Sequence, residues 1–466
     1  MKNNGTVTTP RLVELLGPWL GVSPAYRGIA TGLRGLILDG RLPVGSRLPA
    51  ERVFAQTLKI SRITVTAAYD MLRFEGYLSS AHGAGSWVTL PANAFVRPDR
   101  EADERADIWD LSVAALPAPS ALVDALASAT VDLHPLMAGH GLHPMGLSEL
   151  REAVANHLSM RGLATTSDQV LITNGALHGW HLLLQVLTGP GDRVLVEQPT
   201  YPAVLDAVAA HRRGTIALPV SASGWEIAGK RTRLAHVTPD GQNPTGLVAD
   251  SEQRRRLLRD IDSAVVVCDE TFSDLVLDGP PPEPLAGLDS RVVTLGSMSK
   301  SFWAGLRIGW IRAERDVLTQ LAQARAGTDL ASPVLEQLVA TWFLRHADTV
   351  LEERRALLRR SRDALTQTLA RQLPSWQYHL PAAGMVLWVE LPEPGATRLA
   401  AHALDLGLRL TPGPRFTVDG TADRWLRLPF ILPPDEVDKM VTILTRAVIQ
   451  AASGMQSSRS LSRWTA

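Results

Sequence analysis

The stretch that decides the fold is GSMSKSFWAGLRIGW, residues 296–310 of a chain of 466 residues. It follows the apolar run VVTL and places Lys300, one of five lysines in the chain, in a turn rich in serine and glycine. Ser297 and Ser299 provide hydroxyl groups, and Arg307 provides a guanidinium group that can bind a phosphate through two hydrogen bonds. A strand that runs into such a turn is typical of a ligand site at the carboxyl end of a parallel sheet.

Apolar, β-branched runs of strand length recur on both sides of this stretch. The clearest are VLIT (170–173), RVLVE (193–197), AVVVC (264–268) and VVTLG (292–296). Helical stretches separate these runs, and apolar strands that alternate with helices indicate a mostly parallel sheet that is covered on both faces. We therefore predict a large α/β domain over residues 109–455.

Length and composition indicate more than one domain. At about 150 residues per domain, a chain of this length contains two or three folded units. Residues 89–108 carry prolines and dense charge with few large apolar groups, which predicts a linker. The boundaries that follow are a head over residues 1–88 and a disordered, serine-rich tail over residues 456–466.

Charge is distributed unevenly along the chain, although the net charge is zero. Residues 1–90 hold ten basic and five acidic residues, which is typical of a head that binds nucleic acid. No apolar run approaches the roughly 20 residues of a membrane-spanning helix, and the first residues show no secretory signal pattern. The single Cys268 excludes an intramolecular disulfide. We expect a cytoplasmic protein with no membrane partner.

The sequence of the head predicts a helix, a turn, a second helix and a hairpin. In RLPVGSRLPAERVFAQTLKISRITVTAAYDMLRFEGYL (41–78), a short helix ends near Leu58, and Ser61 is a good N-cap for a second helix that stops at Gly76. A hairpin follows, with its tip at residues 82–85. This order predicts an α+β winged helix-turn-helix domain, in which the second helix enters the major groove of DNA.

Three segments of the head resemble the GntR family: LPAER (48–52), SRITVTAAYDMLRFEGYL (61–78) and HGAGSWV (82–88). The resemblance implies DNA contacts from Arg52, Ser61, Arg62, Thr64, Thr66, His82 and Gly83, with Arg47 as a weaker candidate. Relatives often carry longer polar or basic groups at Ile63 and Thr66, so we expect a different sequence preference. The alternative for any single arginine is a solvated side chain that pairs with Glu51 or Asp70.

Further motifs in the large domain supply the partners that pyridoxal 5'-phosphate needs. The cofactor requires a lysine, a carboxylate at the pyridine nitrogen, a ring that stacks, and donors for its phosphate. Besides the 296–310 stretch, the candidates are Asp269 at a strand end, Asn243 in PDGQNPTG, Tyr201 in EQPTYPA, and Gly175 and Ala176 in ITNGALHGW. Each residue taken alone also has a simpler interpretation: Lys300 as a solvated surface lysine, Asn243 as a turn former and Asp269 as a helix cap.

The order of these motifs resembles that of fold-type I aminotransferases, and together with the head it resembles the MocR group of regulators. The resemblance implies Lys300 as the Schiff-base lysine, Asp269 at the pyridine nitrogen, Asn243 at the 3'-oxygen and Arg307 at the phosphate. Arg427, in RWLRLPF, matches the arginine that takes the α-carboxylate of an amino acid. The resemblance also implies a homodimer, because each site in such relatives is completed by the partner subunit.

Two departures from the family bear on activity. Phe272 stands where aminotransferases often have a tyrosine that donates to the 3'-oxygen, and residues 140–142 replace a region that often carries a second tyrosine. We therefore expect a regulator that binds a double-stranded DNA operator and senses an amino acid, an amine or a vitamin B6 compound, with weak transaminase activity. The alternative is an active aminotransferase that carries a DNA-binding head. We expect no metal, since the histidines at 134, 140 and 143 lack an acidic or cysteine ligand at suitable spacing.

Overall fold

The computed structural model describes residues 7–16, 24–38, 41–42, 46–81, 85–89, 108–226 and 231–453. These residues form an N-terminal head and a large α/β body. Most of the predicted linker (residues 90–107) and the predicted tail lie outside the described residues, so the domain boundaries stay predictions. Within the described ranges, no helix combines the length and apolarity needed to cross a membrane.

The described part of the head contains four helices and a hairpin, which confirms the winged helix-turn-helix prediction. They are α1 (Thr9–Leu16), α2 (Ala25–Leu38), α3 (Glu51–Leu58), α4 (Arg62–Phe74), β1 (Leu78–Ala81) and β2 (Gly85–Val88). The two strands pair antiparallel. Tyr69 is fully buried in the core of the head, and its hydroxyl donates to the carbonyl of Pro49 at 3.0 Å. This bond ties α4 to the residues just before α3.

The α4 helix begins as the sequence predicts. The Oγ atom of Ser61 accepts a hydrogen bond from the amide of Thr64 at 3.1 Å, which caps the helix. At the other end, the helix stops one residue before Glu75, and Gly76 adopts a φ of 80°. Positive φ favours glycine, so Gly76 fixes the point where the chain leaves the helix and enters the hairpin.

The body contains eleven described helices, and the last three of them contribute to the core of a smaller sheet. They are α5 (Leu122–Leu133), α6 (Ser148–Met160), α7 (Ala176–Leu187), α8 (Pro202–Ala210), α9 (Ser251–Asp260), α10 (Met298–Ser301), α11 (Arg315–Arg325), α12 (Val334–Arg345), α13 (Ala347–Gln372), α14 (Ala396–Asp405) and α15 (Pro434–Ala452). Short 3₁₀ turns occur at His134–Ala138, Ser167–Gln169, Ser273–Leu275, Leu285–Gly287, Ala304–Leu306 and Gly413–Phe416.

The central sheet of the body has eight described strands and is mostly parallel. They are β4 (Val170–Thr173), β5 (Arg193–Gln198), β6 (Gly214–Ser221), β7 (Gly224–Trp225), β8 (Thr232–Val237), β9 (Ser263–Asp269), β10 (Val292–Ser297) and β11 (Gly309–Arg312). Their order is β4-β11-β10-β9-β8-β5-β6-β7. β11 runs antiparallel to both of its neighbours, so β4 points the same way as β10, β9, β8 and β5. The carboxyl ends of these five strands therefore lie along one edge.

Shorter strands complete the body. They are β3 (Trp109–Asp110), β12 (Gln377–Tyr378), β13 (Val386–Glu390), β14 (Leu408–Arg409), β15 (Thr411–Pro412) and β16 (Trp425–Pro429). β12, β13, β16 and β15 form an antiparallel sheet in that order, and β3 pairs in parallel with β14. The strand that follows the predicted linker, β3, is thus paired with a strand about 300 residues later in the chain. This pairing brings the segment after β3 close to Lys300 and Arg427.

Candidate functional site

A cavity of about 310 Å³ lies at the carboxyl edge of the central sheet. All nine residues predicted to contact a cofactor line it: Gly175, Ala176, Tyr201, Asn243, Asp269, Ser297, Ser299, Lys300 and Arg307. Six separate segments of the chain contribute them. The structure also adds lining residues that sequence reasoning missed, among them Trp180, His236 and Thr271.

Lys300 lies on α10, directly after the carboxyl end of β10. Ser297 caps this short helix by accepting a hydrogen bond from the amide of Ser299 at 3.2 Å. The Nζ atom of Lys300 donates to the carbonyl oxygen of Ala114 at 2.7 Å. Burial, with the positive charges of Arg427 and Arg307 as a further cause, lowers the pKa of Lys300 to about 8. About one tenth of the amine is therefore neutral near pH 7, far more than for an ordinary lysine, and the neutral amine is the nucleophilic form.

The end of the cavity near Arg307 is suited to an anion. Gly175 is the N-cap of α7 and has a φ of 85°. Gly175, Ala176 and Leu177 line the cavity, so the first turn of this 12-residue helix, whose amides have no partner within the helix, lies at its edge. A Cβ atom on Gly175 would lie 3.0 Å from Nη2 of Arg307, which itself donates to the carbonyl of Asn174 at 3.2 Å. Helix amides, two serine hydroxyls and a guanidinium group together are the donor set of a phosphate site.

This end is built from backbone packed on backbone. Gly309 begins β11 between β4 and β10, and a Cβ atom placed on it would lie 2.7 Å from both the carbonyl carbon of Gly175 and the oxygen of Gly296. A side chain of any size at Gly309 would push these two neighbours apart. Glycine here is a condition for the position of Gly175.

Another part of the cavity wall holds a carboxylate backed by a histidine. Asp269 is the last residue of β9, and its Oδ1 accepts a hydrogen bond from the amide of Thr271 at 2.9 Å. The Nε2 atom of His236 lies 3.7 Å from Oδ2 of Asp269, and its ring contacts Trp180 edge-on at 4.8 Å between centroids. Burial lowers the pKa of His236, which favours the neutral ring.

Tyr201 and Asn243 come from two turns that close the remaining walls. Tyr201 is the N-cap residue of α8, and burial raises the pKa of its hydroxyl. Among the described residues, three buried polar atoms of the lining have no hydrogen-bond partner: Asn243 Oδ1, Thr271 Oγ1 and His236 Nδ1. Buried polar atoms are normally satisfied, so these three favour a polar molecule in the cavity.

Glu197 connects these two turns, and the sequence analysis missed it. This fully buried carboxylate accepts hydrogen bonds from Trp225 Nε1 at 2.7 Å, from the amide of Thr238 at 2.9 Å and from Gln242 Nε2 at 3.1 Å. Gln242 in turn donates to the carbonyl of Pro199 at 2.7 Å. Glu197 thus holds the turn before Tyr201 against the turn that contains Asn243. The sequence did contain a signal for Glu197, which is an acidic residue at the end of an otherwise apolar strand.

Arg427 lies beside the cavity on β16. Its side chain is almost fully buried, donates to the carbonyl of Ser112, and stacks on Phe416 with 5.0 Å from the guanidinium carbon to the ring centroid. Burial lowers its pKa to about 10, so the group stays cationic at neutral pH. Arg427 and Lys300 donate to carbonyls only two residues apart, those of Ser112 and Ala114, and the charge of Arg427 contributes to the lowered pKa of Lys300.

Phe272 is buried and takes part in the lining of the cavity, and it also packs in the core that β13 and β16 share with α13. A phenylalanine ring has no donor for a ligand oxygen. The structure places Phe272 in the wall of the cavity without such a donor. Its role toward a cofactor stays a prediction.

The head presents part of its predicted DNA-contact set at the surface. Arg52 is exposed, and Arg62 at the start of α4 keeps 69% of its side chain exposed, 3.8 Å from Glu51. Thr64 and Thr66 are partly buried. His82 and Gly83 lie outside the described residues. Arg47 forms a backbone bridge with the second strand of the hairpin.

Comparison with known protein families matches both parts of the chain. The family model described as aminotransferase class I and II matches residues 107–444, and the one described as bacterial regulatory proteins, gntR family, matches residues 25–88.

Individual relatives share this organisation or the fold of the body. The uncharacterized HTH-type transcriptional regulator YisV of Bacillus subtilis is 28% identical over 78% of this chain and 84% of its own length. The probable rhizopine catabolism regulatory protein MocR of Rhizobium meliloti is 32% identical over 62% of this chain and 65% of its own. The crystal structure of LysN, an alpha-aminoadipate aminotransferase of Thermus thermophilus complexed with N-(5'-phosphopyridoxyl)-L-leucine, matches with a TM-score of 0.69 and 26% identity over 77% of this chain and 96% of its own.

The buried Glu197 should make the stability of the fold depend on pH. Burial raises its pKa from an ordinary 4.5 to about 7, so the folded protein holds this proton more tightly than the unfolded chain does. This carboxyl therefore stabilises the fold fully at low pH, and its contribution falls as the pH rises from about 4.5 through 7. We expect Glu197→Gln to remove this decline.

Thermal unfolding of wild type and Glu197→Gln between pH 5 and pH 8 measures the effect as a difference in Tm. Glu393→Gln is the matched control, since this carboxylate is 87% exposed. Equal pH dependence of Tm in wild type and Glu197→Gln would show that the buried carboxyl keeps one protonation state over this range.

Proposed function

The chain belongs to the aminotransferase class I and II family and carries a DNA-binding head of the gntR family, and from this premise we propose that it is a pyridoxal 5'-phosphate-dependent transcription regulator of the MocR type. One observation carries the proposal. A single chain combines a cavity lined by all nine expected cofactor residues with a recognition helix whose first turn is exposed. The effector would be an amino acid, an amine or a vitamin B6 compound.

The lining of the cavity fits the cofactor in each of its chemical parts. Lys300 would hold it covalently through the ε-amino group, Asp269 would keep the pyridine nitrogen protonated, and Tyr201 would stack on the ring. Asn243 would bond the 3'-oxygen. The phosphate would be held by Gly175, Ala176, Ser297, Ser299 and Arg307. When bound, the cofactor supplies an electron-withdrawing ring and a carbonyl group that condenses with amines.

Arg427 supports an effector that carries a carboxylate. It is a buried cation at the border of the cavity, and its Nε atom has no hydrogen-bond partner among the described residues. A carboxylate can accept two parallel hydrogen bonds from a guanidinium group. The present partners of Arg427, the Ser112 carbonyl and the Phe416 ring, do not form such a pair of bonds. An amino acid would thus be preferred over a simple amine.

Residues 417–420 provide a route from the cavity to the head. Arg11, on α1 of the head, donates to the carbonyl of Asp419 at 2.7 Å. Just before this loop, Phe416 packs under the effector arginine, and its carbonyl accepts a hydrogen bond from the amide of Thr200 at 2.8 Å. A ligand that moves the arginine or the turn at Thr200 would therefore shift a segment that the head contacts, which supports ligand-dependent DNA binding.

Phe272 favours regulation over efficient transamination. An enzyme of this family gains from a donor at the 3'-oxygen, and a phenyl ring cannot provide one. A sensor needs only to bind the amino acid and change shape. The same chain would act on DNA in the cytoplasm, where bacterial operators are found.

A homodimer is part of the proposal, and exposed apolar side chains support it. Val123, Leu126 and Val131 on α5 are 42–73% exposed, and Met137 and Leu142 follow in the next loop with 68% and 47%. Large apolar side chains concentrated in one region of a surface mark a protein contact. A two-fold symmetric dimer would face a repeated or palindromic operator.

The cofactor proposal predicts that the purified protein is yellow and that Lys300→Ala has no imine that borohydride can reduce. Borohydride reduction followed by peptide mapping should locate the cofactor on the peptide that contains Lys300. Lys439→Ala, at an exposed position on α15, is the matched control and should behave as wild type. Label on a different lysine, or on none, would contradict the assignment.

The DNA proposal predicts that Arg62→Ala weakens binding to a duplex selected by the wild-type protein from a random library. A loss of about 1 to 3 kcal/mol is expected if the guanidinium group reads a guanine. Gel-shift titration measures the affinity, and visible absorption should show that cofactor content is unchanged. Arg256→Ala, which removes an exposed arginine of the body, is the control and should bind as wild type. An unaltered affinity of Arg62→Ala would count against the recognition-helix assignment.

The dimer proposal predicts that light scattering at micromolar concentration gives twice the mass of the chain. Replacing both Val123 and Val131 by aspartate should shift the protein toward monomer, because two charges would be buried without partners. Ile449→Asp, at a position that is 63% exposed on α15, should leave the mass unchanged. A wild-type monomer would refute the proposal.

A further inference from the structure

The recognition helix α4 exposes an apolar side chain at its DNA-facing start. Its buried face is formed by Val65, Ala68, Tyr69 and Leu72. Ile63 lies on the opposite face and is 81% exposed. The hydrophobic core of the head does not include this side chain, which is therefore available to a partner molecule.

The polar side chains around Ile63 are largely used within the head. The hydroxyl of Thr66 donates to Glu51 at 2.8 Å. The hydroxyl of Thr64 lies 2.7 Å from Oγ of Ser61, and the two bond to each other at the helix cap. The family resemblance predicts that Ser61, Thr64 and Thr66 contact DNA, but these contacts inside the protein limit what their hydroxyls can read.

Two exposed groups then remain in the first turn of α4, the guanidinium group of Arg62 and the side chain of Ile63. Ala67 lies one turn further along the same face and is partly exposed. The first two turns of this face therefore present one cation and an apolar strip of two residues, and the exposed Asp70 and Phe74 follow further along the helix. An apolar strip cannot recognise the donors and acceptors of a base edge.

The major groove offers one apolar group that such a strip can recognise. This group is the C5-methyl group of thymine, which distinguishes a T·A pair from the other pairs by its shape and by the water that it excludes. Burial of a methyl group against a side chain that is otherwise exposed removes apolar surface from water on both partners.

We infer that Ile63 contacts the 5-methyl group of a thymine in each half-site of the operator and selects that base. The inference rests on the proposed DNA-binding function and adds a residue that determines its sequence preference. Arg62, next to Ile63, supplies affinity and a polar contact. Ile63 supplies a preference that relatives with a polar residue at this position would lack.

Replacement of a thymidine by deoxyuridine tests the contact, because this change removes only the 5-methyl group of the base. The full-length protein, loaded with pyridoxal 5'-phosphate, first selects duplexes from a random library. Each thymine of the selected duplex is then replaced singly, and the Kd is measured by fluorescence anisotropy. We expect one position in each half-site where the replacement weakens wild-type binding about fourfold, the equivalent of one buried methyl group.

The variants Ile63→Ser and Ile63→Val assign the effect to the side chain. Ile63→Ser should bind the thymine and deoxyuridine duplexes equally, whereas Ile63→Val should keep most of the discrimination. Both changes are at an exposed position, so the fold of the head should survive them. Ile449→Ser removes an exposed isoleucine of the body and should discriminate as wild type.

Three results would overturn the inference. The first is a wild-type protein that binds every deoxyuridine duplex as tightly as the thymine duplex. The second is discrimination that persists in Ile63→Ser but is lost in Ala67→Gly, which would assign the contact to Ala67. The third is failure to select any duplex, in which case the DNA-binding proposal itself fails; a selected duplex without methyl discrimination rejects only the role of Ile63.

Discussion

The common direction of five strands in the central sheet is the constraint on which the rest of the body depends. Because β4, β10, β9, β8 and β5 run in one direction, the residues that follow each of them meet along a single edge. A lysine, a carboxylate, a tyrosine, an asparagine and a helix start, which are far apart in sequence, become neighbours there. Arg307 reaches the same edge from the other side, since it precedes the antiparallel strand β11.

Residues at strand ends could be predicted because the signal is local. An apolar run of four to seven residues marks a buried strand, and the residue after it must lie at the edge, so Asp269 and Lys300 could be assigned before any tertiary contact was known. His236 was missed for the opposite reason. Its position beside Asp269 follows from the register in which β8 pairs with β9, where it lies opposite Val267, and register cannot be read from one strand alone.

Long-range contacts also decide what the predicted residues do. Thr66 was expected to face DNA, but α3 packs against α4 and brings Glu51, 15 residues earlier, within hydrogen-bond distance of its hydroxyl. In the body, the carbonyls of Ser112 and Ala114 bind Arg427 and Lys300 across separations of 315 and 186 residues. The pairing of β3 with β14 makes these contacts possible. Sequence patterns can identify the charged side chains, but not the backbone atoms that hold them.

The close approach of Gly309 to Gly175 and Gly296 has a consequence for tolerance to change. Substitutions in an ordinary core are absorbed by neighbouring side chains, which change rotamer and spread the disturbance over several ångströms. At this junction main chain lies directly on main chain, so no side chain lies between Gly309 and its two neighbours that could change rotamer and absorb a displacement. Variation elsewhere in the body can therefore reshape the walls of the cavity and alter which small molecules it accepts, while the end near Arg307 keeps its geometry. A binding site with one rigid end and one adaptable end can acquire new specificities without losing its anchor.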